Sequence, residues 1–202
     1  MAQHETTAFV VDDDAAVRAS LELLLRSIGL RAETYSSASE FLEAYDAARP
    51  GCLILDVRMP GMSGLELQEK LDELHSILPI IFLTAHGDVQ MAVKAVKTGA
   101  VDFLEKPFRD QDLIDKIQHA IDDDASTRKK LADRQKILAL IESLTPRERE
   151  VMDMVVAGKA NKVIAIDLGL SQRTVEIHRG RVMRKMQADS VSQLVQMTIR
   201  AQ

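Results

Sequence analysis

Short apolar runs alternate with stretches of helical spacing across residues 9–122. Phe9-Val10-Val11, Leu53-Ile54-Leu55, Ile80-Ile81-Phe82-Leu83 and Val101-Asp102-Phe103-Leu104 are too brief and too tightly bounded to be helices, so they predict strands. Arg31 to Tyr35 is a weaker pattern, suited to a sheet edge. Between them, Val17, Leu21, Leu24, Leu25 and Ile28 mark one face of a helix over 15–28, which Gly29 stops. Further helices are predicted over 39–48, where Pro50-Gly51 breaks the pattern, over 63–74 with Ser63 as cap, over 88–98, and over 110–122. Strands alternating with helices predict a doubly wound (βα)5 parallel sheet of order 2-1-3-4-5.

The character then changes. Asp122-Asp123-Asp124 would repel the negative end of a helix, so a break or loosening is expected there. Helical spacing resumes after Ser126, with Leu131, Ile137, Leu138 and Ile141 roughly on one side, as in a linker helix or a short coiled seam. From Leu144 the pattern is a small all-α module. Thr145, Pro146 and Glu148 form the start of a helix with a capping box. A second helix over 161–168, the turn Gly169-Leu170-Ser171 and an Arg-rich helix over 172–186 make a helix-turn-helix, and 191–199 adds a closing fourth helix.

Charge divides along the same line. The net charge of −5 combines 11 Lys+Arg against 22 Asp+Glu in residues 1–123 with 15 against 9 in residues 124–202. A basic module behind an acidic domain predicts contact with nucleic acid or another anion. The 46% apolar content supports a sizeable core, and 3% aromatic content makes it aliphatic and Met-filled. The lone Cys52 excludes an internal disulfide, suits a reducing cytosol and reads as apolar filler at a strand start. No signal peptide or membrane-spanning stretch is expected, so the predicted location is the cytoplasm.

Candidate chemistry gathers at the strand ends. Asp56 closes the central run before Met59-Pro60-Gly61 turns the chain, and open α/β sheets bind ligands at that edge. In the predicted sheet, Asp12 and Asp13 close the neighbouring strand. Three carboxylates this near repel one another unless a hard cation such as Mg²⁺ joins them. Thr84 and Lys106 end two further strands at the same edge, a hydroxyl and an ammonium suited to a phosphoryl group. The bland alternative, a surface acidic cluster bridged by a lysine, suffices for Asp14 alone but not for all five positions at these four strand ends.

These residues carry a resemblance. Asp12-Asp13, Asp56, Thr84 and Lys106-Pro107 resemble a response-regulator receiver domain, and His86-Gly87-Asp88-Val89-Gln90-Met91-Ala92-Val93 with Gly99 to Phe108 is similar to the FixJ branch. Leu144-Thr145-Pro146-Arg147-Glu148-Arg149-Glu150-Val151 with Arg173-Thr174-Val175-Glu176-Ile177-His178 resembles the LuxR-type DNA-binding domain. The resemblance implies a two-component regulator, not an enzyme, with a receiver over 1–123, a helical linker over 124–142 and the DNA-binding module over 143–202. It implies Asp56 as phosphoacceptor for a sensor histidine kinase, with Mg²⁺ (or Mn²⁺) on Asp13, Asp56 and the Arg58 carbonyl, and on Asp12 mainly through water. Thr84 and Lys106 would bind the phosphoryl group, Phe103 would occupy the aromatic switch position, and Arg58 and His86 would tune phosphate lifetime. For Phe103 an ordinary core role is nearly as good an account. Lys106-Pro107 would be cis.

On the Arg-rich helix, steps of three and four from Arg173 give Glu176, Ile177, Gly180, Arg181 and Arg184. The family's base-reading positions map to Glu176, Ile177 and Gly180. Glu176 can accept from cytosine and Ile177 can touch a thymine methyl. Arg173, Arg179 and Arg181 suit guanine or phosphate, and Lys159, Asn161, Lys162, Thr174 and His178 suit phosphate. A solvated charged face is the alternative, preferred for Arg184 and Lys185. The expected partners are the kinase, double-stranded DNA with an inverted repeat, RNA polymerase and, on phosphorylation, a second copy. A dehalogenase-like phosphatase would need an aspartate where Arg58 stands, and a phosphorylation-independent regulator would lack part of the acid set.

Overall fold

Every residue of the first strand is buried, as an apolar run in the middle of a sheet covered on both faces requires. The computed structural model describes residues 5–84 and 102–201, and the chain divides into two units, Met1–Arg128 and Lys129–Gln202. In the first, β1 (Thr7–Val11), β2 (Arg31–Tyr35), β3 (Gly51–Asp56), β4 (Ile80–Thr84) and β5 (Asp102–Glu105) form a parallel sheet of order β2-β1-β3-β4-β5.

Alternation along the strands feeds two cores. Phe9, Val11, Leu53, Leu55 and Phe82 pack with Phe41 of α2 (Ala38–Ala44) and Leu67 and Leu71 of α3 (Gly64–Glu73). Ala8, Val10, Cys52, Ile54, Ile81 and Leu83 pack on the other face with Leu21 and Leu25 of α1 (Ala15–Ser27) and Leu113 and Ile117 of α4 (Asp110–Glu142). Burial pushes the Cys52 thiol up to about 12, in keeping with an inert filler.

Four expectations are corrected. Helix α1 stops at Ser27, and Ile28 is its exposed cap rather than a core residue. The helix expected over 39–48 ends at Ala44 because Asp46 bonds the backbone of Ala48 and its own carbonyl accepts from Arg49, making a turn. No break occurs at Asp122-Asp123-Asp124, since α4 runs unbroken from Asp110 to Glu142. Each acid there has a partner four residues away along the helix: Gln118 donates to Asp122, His119 lies 3.6 Å from Asp123, and Arg128 grips both oxygens of Asp124. Finally, Ile137 and Ile141 are buried in the second unit while Leu131 and Leu138 are each 38% exposed, so the four do not share one face. The helix predicted over 88–98 lies outside the described residues.

The second unit packs Ile137, Ile141 and Leu144 with α5 (Pro146–Val156), α6 (Asn161–Leu168), α7 (Gln172–Lys185) and α8 (Val191–Ala201) around Val151, Ile164, Val175, Val182 and Leu194. The capping box of Thr145 and Glu148 is present, and Gly169 caps α6 in the left-handed region. Among the described residues no helix is long and apolar enough to cross a membrane.

Candidate functional site

Parallel pairing delivers the carboxyl ends of the strands to one edge. Val11 pairs with Leu55, Asp56 with Leu83, and Thr84 with Glu105, so Asp12, Asp56, Thr84 and Lys106 arrive on neighbouring strand ends. Lys106 Nζ lies 2.7 Å from Asp56 Oδ1 and 2.9 Å from Asp12 Oδ2, bridging the two carboxylates. The remaining oxygens are held by backbone: Arg58 N–H donates to Asp56 Oδ2, and Asp14 N–H to Asp12 Oδ1. Lys106 N–H donates to the Thr84 carbonyl at 2.8 Å, and the Lys106–Pro107 bond is cis.

Asp12 is 2% exposed and Asp56 half-buried, which sets their electrostatics. Burial raises the Asp56 carboxyl; the hydrogen bond and charge of Lys106 pull it back, Asp12 pushes it up again, and the net shift is upward. Burial alone would lower the Lys106 ammonium, but hydrogen bonds to Asp12 and Asp56 outweigh it and hold its pKa above the ordinary lysine value. Gly64 lets the first turn of α3 approach this edge. A Cβ there would lie 2.3 Å from the Asp56 carbonyl oxygen, and Gly64 N–H donates to the Val57 carbonyl.

The other predicted residues surround this bridge unevenly. Thr84 is buried, Asp13 and Arg58 are exposed, and Phe103 is half-buried against the core of α2 and α3. His86 lies outside the described residues. Among the described residues, no three His, Cys, Asp or Glu side chains converge as a ready-made metal cage. The donor chemistry of Asp12, Asp13 and Asp56 nonetheless suits a hard cation that keeps several waters, since carboxylate oxygens are the ligands such an ion takes.

On α7, Arg173, Glu176, Ile177, Gly180 and Arg181 are exposed, as is Lys162 on α6. Other predicted contacts are engaged within the unit. Arg179 donates to Asn161 Oδ1 at 2.9 Å, Lys159 lies 2.7 Å from Asp167, and Thr174 joins Ser171 in capping α7. His178 Nδ1 is buried and finds no hydrogen-bond partner among the described residues. Lys185, read as a solvated charge, is instead structural: its ammonium bonds Glu148 and the Ser143 carbonyl. The helical spacing that placed Lys185 on the Arg-rich helix carries no signal for this contact.

Sequence reasoning also missed a buried clamp at the opposite edge of the sheet. Asp124, 2% exposed, accepts from Gly51 N–H, while Arg128 binds Asp124 and donates to the carbonyls of Ala47 and Arg49. Its only trace in the sequence is an Asp–Arg pair four residues apart.

Comparison with known proteins covers both units. Residues 8–118 match the response regulator receiver domain and residues 142–198 the luxR family of bacterial regulatory proteins. The chain is 46% identical over 200 residues to the response regulator protein TmoT of Ectopseudomonas mendocina, covering 99% of this chain and 91% of that one. It is 47% identical over 193 residues to the transcriptional regulatory protein FixJ of Bradyrhizobium diazoefficiens, covering 96% and 94%. Among solved structures, the response regulator StyR aligns with a TM-score of 0.89 at 44% identity, over 97% of this chain and 99% of that one.

Proposed function

Because this chain belongs to the response-regulator family, with a receiver domain followed by a LuxR-type DNA-binding domain, we propose that it controls transcription through phosphoryl transfer from a sensor histidine kinase to Asp56. The family is one of transcription factors rather than enzymes, and its receivers typically bind Mg²⁺ where they are phosphorylated. The observation that carries the assignment is the Lys106 bridge between Asp12 and Asp56.

Asp56 supplies the nucleophile. A carboxylate oxygen attacks phosphorus as the P–N bond to the kinase histidine breaks, leaving an acyl phosphate. The Arg58 N–H fixes one Asp56 oxygen, and Lys106, beside the other, offers its ammonium to the incoming phosphoryl oxygens. Thr84, one strand over, donates its hydroxyl to the transferred group. Asp12, Asp13, Asp56 and the Arg58 carbonyl would hold Mg²⁺ or Mn²⁺, which offsets charge as the phosphoryl group arrives. Phe103 serves as the switch aromatic, and the Arg58 and His86 side chains tune how long the phosphate survives.

Phosphorylation then shifts the receiver (1–123) toward a state that pairs with a second copy around Val89–Asp123. Through the linker (124–142), the dimer sets two modules (143–202) on an inverted repeat in double-stranded DNA, with half-sites about one helical turn, ~10 bp, apart. There the exposed Arg173, Glu176, Ile177, Gly180 and Arg181 face bases and nearby phosphates and the exposed Lys162 serves the backbone, whereas Lys159, Asn161, Thr174 and Arg179 reach DNA only by exchanging the partners they hold inside the module. RNA polymerase, in the cytoplasm, is the final partner.

Acetyl phosphate with Mg²⁺ should add one phosphoryl group by intact-mass spectrometry, and none to Asp56→Asn. Equal labelling of the variant would overturn the assignment. Sedimentation of the treated protein tests the second half: a monomer at micromolar concentration that binds DNA with full affinity is incompatible with it.

A further inference from the structure

Asp167 stands in the last turn of α6, the end that a helix makes negative, where its own helix disfavours an acid. Its carboxylate meets the ammonium of Lys159 at 2.7 Å, eight residues back and ahead of the helix's first residue. The Lys159 backbone is fixed, its N–H donating to the Met154 carbonyl at 3.0 Å. Only the side chain can choose a partner, and Asp167 draws it toward the end of α6 opposite Lys162. Lys159 is 40% exposed and Asp167 35%, so water reaches the contact and opening it costs little.

Such a pair adds little to stability, yet it changes what the module offers to DNA. Affinity for the phosphate backbone comes from cations that neutralise phosphates and release the counterions condensed on them. A lysine that already holds a carboxylate neutralises no phosphate until it lets that carboxylate go. Building on the DNA-binding reading above, we propose that Asp167 sets the module's affinity for DNA: its carboxylate occupies Lys159 in place of a phosphate. Binding that ignores sequence is thereby kept weak, and the base contacts decide where the protein sits.

The test compares full chains treated with acetyl phosphate and Mg²⁺ on two duplexes. One is selected by the unsubstituted protein from a randomised DNA pool, and the other has the same length and an unrelated sequence. Asp167→Asn should tighten binding to both by the same factor, about fivefold for each module bound. The slope of log affinity against log salt should steepen by about one for each module. The melting transition should stay in place, because relief at the helix end offsets the loss of a surface ion pair. Adding Lys159→Ala to Asp167→Asn should cancel both changes in binding. Asp153→Asn, which removes another exposed acid from the module, should reproduce neither. An unchanged slope in Asp167→Asn, or a gain confined to one duplex, would overturn the proposal. So would a gain that survives Lys159→Ala or is matched by Asp153→Asn, because net charge alone would then explain it. An unsubstituted protein that selects no duplex and binds neither would overturn the DNA-binding reading itself.

Discussion

The sheet edge and the recognition helix use charge in opposite ways. At the edge, Asp12, Asp56 and Lys106 are turned inward and joined by bonds of 2.7 and 2.9 Å. On α7, Arg173, Glu176 and Arg181 stand exposed. A buried charge must find its partner within the fold, so the edge forms a closed circuit whose members make sense only together. An exposed face leaves its charges free to take a partner on another molecule. The module itself shows both habits, since Lys159, Arg179 and Lys185 are spent on Asp167, Asn161 and Glu148. A lysine or arginine on a basic module is therefore no evidence for a DNA contact until its intramolecular partners are counted.

The largest effect on stability should come from breaking an inward-turned pair that takes no part in the chemistry. Removing Arg128 leaves Asp124 buried and loses the donors to Ala47 and Arg49. Arg128→Ala should cost the receiver about 3 kcal/mol, measured by denaturant titration, with the module's own transition unmoved. A loss below about 0.5 kcal/mol, typical of a surface pair, would place this clamp among the decorative contacts.

Next is Glu148, 3% exposed, where the Lys185 hydrogen bond and the cap on Thr145 hold the carboxyl down at about 2. A folded pKa below the ordinary value of 4.5 gives stability that is complete above that value and is lost as pH falls through about 2. The module should accordingly weaken on acidification from about pH 4.5 to 2, and Glu148→Gln should flatten that dependence while costing about 1 kcal/mol at neutral pH. An unchanged acid profile in Glu148→Gln would assign the loss to other carboxylates.

These two pairs mark where the sequence stopped being legible. The strand-end residues could be read because strands alternating with helices make a parallel sheet, whose strand ends share one edge, and the chemistry sits on those ends. The capping box at Thr145 was equally plain, since it is local. Lys185 and Glu148 lie 37 residues apart and Asp124 and Gly51 lie 73 apart, and no local pattern specifies either contact. The acids at 122–124 misled because their repulsion of a helix end matters only where the helix ends. Here α4 continues, and each acid is answered along or beside it.

The smallest effect belongs to the open face. Lys162 is exposed on the first turn of α6, whose N-cap, Ala160, offers no side-chain bond to the helix's leading N–H groups. On the proposed reading, this helix end and Lys162 take the same anion, a DNA phosphate. Lys162→Ala removes an exposed charge, so its melting transition should not move. DNA affinity should fall only a few-fold at moderate salt, and by the same factor on specific and unrelated duplexes, because a phosphate carries no sequence. The slope of log affinity against log salt should become shallower by about one. A loss confined to the specific duplex would make Lys162 a base reader, and an unchanged slope would remove it from the interface, leaving α7 as the open face.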